Sequence, residues 1–375
     1  MEKIKILYTI PNFDTAGSGI HLLSIAKRLD SDLFEPQIAC RFDRGGFFQE
    51  VKNTGMKIYL IDYYINARPL IKMLYECYKL SRIFKKIAPD IIHSYNYAAD
   101  YTEPLAARMA RIKWIYTKKN MSWKGPSYRG WCLRTFLANG IIAQNSDMID
   151  DFFYNNRKAE LIPMGIDINE YKKQQINSRV LEKWNINSGT RVIMSIANLV
   201  PVKGIKILIK AFEGLYIDYT NWALMIVGND TGNYAMELKG YLANKPDLKE
   251  RVIFTGVQKN VRELLNIAEI YVQPTLNIGR KEGGPIATLE AMANGKIIIG
   301  SNISGIRDQL LDQFPHHLFT AGNITELKQK LDQFMANDKN TNERIGNNFI
   351  NYVKETFNIS IQKRESELFY QNLTQ

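Results

Sequence analysis

Two doubly wound parallel α/β sheets in tandem are what this chain predicts, and three observations predict them. Short runs rich in Ile, Val, Leu and Tyr recur along the whole length and alternate with segments whose apolar residues fall three and four apart. The connections are short, so each strand, helix and strand returns parallel to its start. The rhythm breaks once, across a polar Asn- and Lys-rich stretch at 161–189, and then begins again. With 375 residues and 45% hydrophobic content, the chain can bury two cores.

In order, the first half offers strands at 4–10, 36–41, 56–62, 90–94, 113–118 and 139–144, with helical patterns such as IHLLSIAKRL (20–29) and LIKMLYECYKLSRIFKKI (70–87) between them. The first loop, DTAGSGIHLL, carries Gly17 and Gly19 and opens a helix, the setting a phosphate or acceptor loop needs; it lacks the third glycine of a dinucleotide fingerprint. The second half offers strands at 191–197, 222–228, 251–256, 269–275 and 296–301. These patterns predict Rossmann-like domains at 1–165 and 166–357 facing a cleft, with a last helix at about 358–375 packing back on the first. Ligands in such sheets bind outside the carboxyl ends of the strands.

No apolar run reaches the roughly 18 to 20 residues of a membrane span, and MEKIKILYTI reads as a strand rather than a leader, so a cytoplasmic protein is expected. Cys40, Cys77 and Cys132 are scattered and read as buried thiols, not as a disulfide or zinc set. Of the net charge of +11, ten units fall between Asn66 and Thr135, where fourteen basic residues meet four acidic ones amid aromatic residues. That concentration points to an anionic partner, nucleic acid or an anionic membrane surface. The helix at 70–87, with Lys72, Lys79, Arg82, Lys85 and Lys86 among Leu74, Tyr75, Tyr78 and Phe84, suits a surface-resting role.

The chemistry centres on GRKEGGPIATLEAMANG (279–295). Pro285 suits the first position of a helix that runs through Ile286 and ends at Gly295. That helix is apolar nearly all round and therefore buried, yet Glu290 sits in its middle, and a buried carboxylate needs hydrogen-bond donors. A direct ion pair with a Lys or Arg is one solution. A ligand diol is another: Glu282 and Glu290 can each accept from paired hydroxyls, while the amides of Gly283 and Gly284 can hold an anion. Glu282 alone is equally explained by the helix dipole. In SIANLVPVKGIKILIKAF, Lys203 stands at a helix N-terminus, where a cation is unfavourable unless an anion lies between, and a diphosphate is such an anion.

These segments resemble the retaining glycosyltransferases of the GT-B fold, family 4. EGGPIATLEAMANGKIIIGSNISGI is similar to that family's Glu-x7-Glu segment, LVPVKGIKILIKAF to its Lys-Gly donor-phosphate segment, LIPMGID to its inter-domain turn, and VIFTGVQKNVRELLNIAEIYVQPT to its nucleotide-base region. The likeness implies transfer of a hexose or N-acetylhexosamine from a nucleoside diphosphate sugar, UDP favoured. The acceptor would be a hydroxyl of a glycan or lipid-linked glycan in surface polysaccharide or glycoconjugate synthesis, with retention and without metal or other cofactor. It assigns Glu290 to the ribose, Glu282, Gly283, Gly284, Pro285 and Ile286 to the donor sugar, Lys203 to the diphosphate, the backbone near Val257 to the base, and the glycine loop at Gly17 and Gly19 to the donor phosphate and acceptor. Asn198 stands where relatives carry an arginine, and Thr117-Lys118-Lys119-Asn120 stands where they carry a histidine. Lys119 is the substitute, with Asn120 and His93 beside it on the acceptor side. A peripheral enzyme on the inner face of the cell membrane follows, with no nucleic-acid partner. A nucleotide-sugar epimerase of the same fold, and a basic membrane- or nucleic-acid-binding protein with a vestigial sugar site, are the alternatives.

Overall fold

A computed structural model describes residues 2–13, 16–123, 127–187, 189–258, 260–279, 281 and 283–375. The chain divides into two units, one of residues 1–163 with 360–375 and one of 164–359. The first runs β1 (Ile4–Ile10), α1 (Ala16–Ala26), β2 (Phe34–Cys40), α2 (Phe48–Lys52), β3 (Ile58–Leu60), α3 (Leu70–Ile87), β4 (Ile91–Ser94), α4 (Thr102–Ala110), β5 (Lys113–Lys118), α5 (Tyr128–Leu137), β6 (Gly140–Ala143), α6 (Ser146–Phe152) and β7 (Ala159–Leu161). All its strand pairs are parallel, in the order β3-β2-β1-β4-β5-β6-β7.

The second unit runs α7 (Ile168–Tyr171), α8 (Ser178–Lys183), β8 (Arg191–Ile196), α9 (Ile205–Glu213), β9 (Trp222–Val227), α10 (Asn233–Ala243), α11 (Pro246–Arg251), β10 (Val252–Phe254), α12 (Val261–Ile267), β11 (Ala268–Gln273), α13 (Ile286–Ala293), β12 (Ile297–Ser301), α14 (Ile306–Leu310), β13 (Leu318–Phe319), α15 (Ile324–Met335) and α16 (Lys339–Thr356). Its sheet is parallel as well, ordered β10-β9-β8-β11-β12-β13. Its strands are apolar on both faces because helices cover both. Val192 and Met194 enter one core layer while Ile193 between them enters the other, the two-residue period of a strand. The last helix, α17 (Ile359–Thr374), sends Tyr370 into the first unit, where its hydroxyl meets the Tyr8 hydroxyl and Nδ1 of His93.

Several expectations shift. The helix after β1 begins at Ala16, so Gly17 and Gly19 lie in its first turns rather than in a loop ahead of it. The polar stretch 161–189 is not bare coil but holds α7 and α8, whose few residues are too short to show a period and are started by the Asp167 and Asn177 side-chain caps. Cys132 is exposed, unlike Cys40 and Cys77. Of the aromatic residues of α3, left open between surface and core, Phe84 is fully buried with Met73, Cys77 and Leu80, while Tyr75 and Tyr78 stay outside with Leu70, Ile71, Leu74, Ile83 and the lysines. Among the described residues, no helix is long and apolar enough to cross a membrane.

Candidate functional site

In the second unit, the residues singled out from sequence gather where β8 and β11 end. After β8 the chain passes exposed Asn198 into one 3-10 turn, Pro201–Lys203. Gly204 closes that turn at φ +69°, and a Cβ there would lie 1.8 Å from the Pro274 carbonyl oxygen, so glycine alone fits. The Leu276 amide donates to the Val202 carbonyl at 2.7 Å, fastening the two loops together. Lys203 is thereby held at the start of α9, and burial pushes its ammonium down to about 8. A half-buried cation beside the first-turn amides of a helix is suited to a phosphate.

The glycine turn after β11 is built the same way. Gly305, at φ +80°, comes so near that a Cβ would sit 2.6 Å from the Gly283 carbonyl oxygen, and Gln309 Nε2 donates to the Pro285 carbonyl at 3.1 Å. Pro285 is the N-cap of α13 rather than its first residue, with Ile286 following, which leaves first-turn amides without intrahelical acceptors. Gly283 is buried and Gly284 half-buried. Val257 is exposed, 74% of its surface open, on the turn after β10. Glu282, expected to share this site, lies outside the described residues.

Glu290 finds its donor in a residue the sequence reading missed. Tyr171 Oη donates to Glu290 Oε1 at 2.7 Å, the Arg262 guanidinium lies 4.8 Å from the Tyr171 ring, and Arg262 pairs with Glu170 at 2.5 Å. No lysine or arginine touches the carboxylate among the described residues, so a hydroxyl backed by a guanidinium replaces the direct ion pair. Burial raises the Glu290 pKa; the Tyr171 hydrogen bond and the Arg262 charge oppose that rise. Tyr171 ends the four-residue α7, and only packing of α7 on α13 brings it to Glu290.

In the first unit the acceptor-side residues are placed differently from expectation. His93 is 1% exposed, with Nδ1 bonded to Tyr370 Oη and Nε2 to Thr117 Oγ1, each at 2.8 Å. Both ring nitrogens are engaged inside the unit, and burial, the Lys119 charge and His21 hold the ring neutral. His93 Nδ1 thus ties α17 to the sheet. Asn120 is also turned inward: its Oδ1 accepts from Lys118 Nζ at 3.1 Å and from the Ser122 amide at 3.0 Å. Lys119 Nζ donates to the Tyr95 carbonyl at 2.7 Å, 4.3 Å from the Tyr95 ring, and burial followed by the Arg134 charge lowers its pKa well below that of an ordinary lysine. Gly17 is exposed and Gly19 buried.

The basic segment separates into two populations. Lys72, Lys79, Arg82, Lys85, Lys86, Arg108, Arg111 and Arg129 are exposed. Lys118 is 1% exposed, its ammonium 3.9 Å from the Trp131 ring and 5.4 Å from that of Phe152. Arg134 is fully buried, donating to the Asp100 carbonyl at 2.8 Å, the Asn96 carbonyl at 3.1 Å and Ser94 Oγ at 3.2 Å. Ser94 Oγ in turn donates to the buried Glu103 at 2.7 Å. An arginine between Trp131 and Leu137 was the visible sign of this cluster, but its partner Glu103 lies on another helix.

Comparison with known proteins matches residues 15–170 to the model of Glycosyltransferase Family 4 and residues 177–352 to that of Glycosyl transferases group 1. The Escherichia coli UDP-Gal:alpha-D-GlcNAc-diphosphoundecaprenol alpha-1,3-galactosyltransferase is 23% identical over 367 residues, 90% of this chain and 91% of its own. The Campylobacter jejuni N,N'-diacetylbacillosaminyl-diphospho-undecaprenol alpha-1,3-N-acetylgalactosaminyltransferase is 22% identical over 78% of this chain and 80% of its own. Among solved structures, a glycosyltransferase from Rickettsia africae superposes with a TM-score of 0.84 at 18% identity over 100% of this chain and 99% of its own. Anabaena HepE in complex with UDP and glucose superposes with 0.80 at 19% identity over 97% and 99%.

Proposed function

Because the chain belongs to the group 1, family 4 glycosyltransferases, we propose that it is a retaining enzyme moving a hexose or N-acetylhexosamine from a UDP-sugar to a hydroxyl of a glycan or lipid-linked glycan. The observation that carries the donor side is Glu290, set in the apolar helix α13 and held by Tyr171 through one oxygen. A carboxylate that accepts from a neutral hydroxyl through one oxygen keeps acceptor capacity suited to the paired hydroxyls of a ribose. Lys203 and the amides at Gly283, Gly284 and Ile286 supply positive potential for the diphosphate, with Glu282 as a further sugar ligand. Asn198, Val257, Pro285, Gly17 and Gly19 complete the donor contacts, and Lys119 works on the acceptor side.

In the reaction the acceptor oxygen attacks the anomeric carbon on the face from which the diphosphate departs. The bond from that carbon to the diphosphate oxygen breaks, and the acceptor proton passes to the departing phosphate. Lys203 and the backbone amides stabilise the charge that develops, so the protein needs no bound metal or other cofactor. The chemistry named for the Escherichia coli and Campylobacter relatives, sugar transfer onto diphosphoundecaprenol-linked glycans, supports a lipid-linked acceptor. Residence at the inner face of the cell membrane, in surface polysaccharide or glycoconjugate synthesis, follows from that acceptor and from the exposed basic and apolar side chains of α3.

The test is hydrolysis of a nucleotide-sugar panel without acceptor. Slow release of UDP from one UDP-sugar is expected and would name the donor. Failure of every nucleotide sugar to turn over or to shift the melting temperature would overturn the reading.

A further inference from the structure

The carboxyl edge of the first sheet carries three exposed aromatic residues on three different loops: Phe42 after β2, Tyr64 after β3 and Tyr97 after β4, which are 37%, 49% and 48% exposed. The strand ends lie in register, Cys40 opposite Leu60 and Ile10, and Thr9 opposite Ser94, so the loops leave one edge in the order Tyr64, Phe42, the β1 loop, Tyr97. We propose that these three rings form an acceptor groove that stacks on an oligosaccharide of more than one sugar. The proposal rests on the transferase reading above and adds the class and length of the acceptor. The non-polar face of a pyranose ring packs against the negative face of an aromatic ring, and hydroxyls at its rim seek charged partners.

Single exposed aromatic residues are ordinary on a protein surface. These are braced. Arg41 lies with its guanidinium carbon 5.1 Å from the Phe42 ring and 5.3 Å from the Tyr64 ring, and the Arg44 guanidinium carbon is 4.5 Å from the Phe42 ring. Arg41 Nε and Nη2 are 2.7 and 3.0 Å from the two oxygens of Asp62, and Asp62 also accepts from the Tyr64 amide at 3.1 Å. The Tyr97 loop is fixed from beneath by Arg134, which donates to the carbonyls of Asn96 and Asp100 on either side of it. Helix α5 approaches the same loop closely, since a Cβ on Gly130 would lie 2.5 Å from the Ala99 carbonyl oxygen. Tyr95 and Asn96 next to Tyr97 are buried, which leaves Tyr97 as the ring this loop presents.

Holding rings rigid before binding removes the ordering cost that a flexible loop would meet on capture of a glycan. Three strand spacings separate the Tyr64 and Tyr97 loops, roughly 14 Å at the usual separation of neighbouring strands, which exceeds one sugar ring. The Arg41–Asp62 pair at one end supplies donors and acceptors for hydroxyls.

The test uses the full chain on an array of lipid-free glycans of one to six sugars, with the best binders titrated by saturation-transfer NMR. Binding at least tenfold tighter to a trisaccharide than to its terminal monosaccharide is expected. Phe42→Ala, Tyr64→Ala and Tyr97→Ala should each weaken that binding about tenfold, Tyr64→Phe and Tyr97→Phe should restore it to within twofold, and UDP affinity measured by calorimetry should hold in all five. Equal affinity for mono- and trisaccharide, no glycan bound, or alanine variants with full glycan affinity would overturn the groove. Loss of UDP binding in the unmodified protein with glycan binding intact would instead strike the donor reading and leave the groove standing.

Discussion

Tyr171 Oη and Glu290 Oε1 lie 2.7 Å apart, and through that bond a four-residue helix beside the domain boundary holds the one carboxylate in the apolar helix α13. A hydrogen bond to a charged acceptor is worth about 1.5 to 3 kcal/mol. Tyr171→Phe removes it without changing volume. Its expected effect is a rise of about tenfold in the KM for nucleotide sugar with kcat nearly unchanged, read from initial rates over a donor titration. An unchanged donor KM would detach Tyr171 from the donor.

Glu290→Gln should cut turnover at least tenfold while leaving the fold intact, because it removes the proposed donor contact and no core volume. Burial raises the folded-state pKa of Glu290 above its unfolded value, so its neutral form favours folding and this contribution is lost as pH rises through the folded pKa. Glutamine is neutral at every pH. The variant should therefore melt higher than the parent near pH 8, with the gap closing below the ordinary carboxylate pKa of about 4.3. Calorimetric scans from pH 4 to 8 check this, and a gap that widens toward acid would contradict the burial argument.

Lys203→Ala is expected to lower turnover at least tenfold. Because burial holds the ammonium at about 8 in the free protein, kcat/KM should fall as pH rises through that value and the cation is lost. Lys203→Arg keeps its charge and should flatten the alkaline limb even if its rate is lower. A limb that stays in place in the arginine variant would assign it to another group.

Activity is expected to persist in excess EDTA, since in the proposed reaction Lys203 and backbone amides meet the phosphate charge. Loss in chelator that manganese restores would reverse this.

The exposed side of α3 is expected to bind vesicles containing anionic lipid, in a salt-sensitive manner. Lys79, Arg82, Lys85 and Lys86 are exposed beside Ile71, Leu74, Tyr75 and Tyr78, and each cation near such a surface contributes about 1 kcal/mol. Changing the four to serine should weaken binding in a flotation assay. Equal binding to neutral vesicles, or tighter salt-dependent binding to duplex DNA, would count against a membrane role.

By itself the sequence determined the two parallel sheets, because strands covered on both faces carry unbroken apolar runs such as Val192–Met194 in RVIMSI and Ile297–Ile299 in IIIGS. It also marked Lys203, Gly204 and the Gly283–Gly284 turn, since glycine before a helix is a local constraint legible without neighbours. Composition placed the charge in the first half. What the sequence could not convey was which cations face water: Lys118 and Arg134 are buried against rings and carbonyls drawn from other elements, whereas the α3 lysines are solvated. Nor could it reveal that Tyr370 of α17 takes Nδ1 of His93, or that Tyr171 donates to Glu290, for these partners are 277 and 119 residues apart in the chain. A hydrogen bond depends on distance and angle in space, and over such separations only the packing of α17 in the first unit and of α7 on α13 in the second sets them.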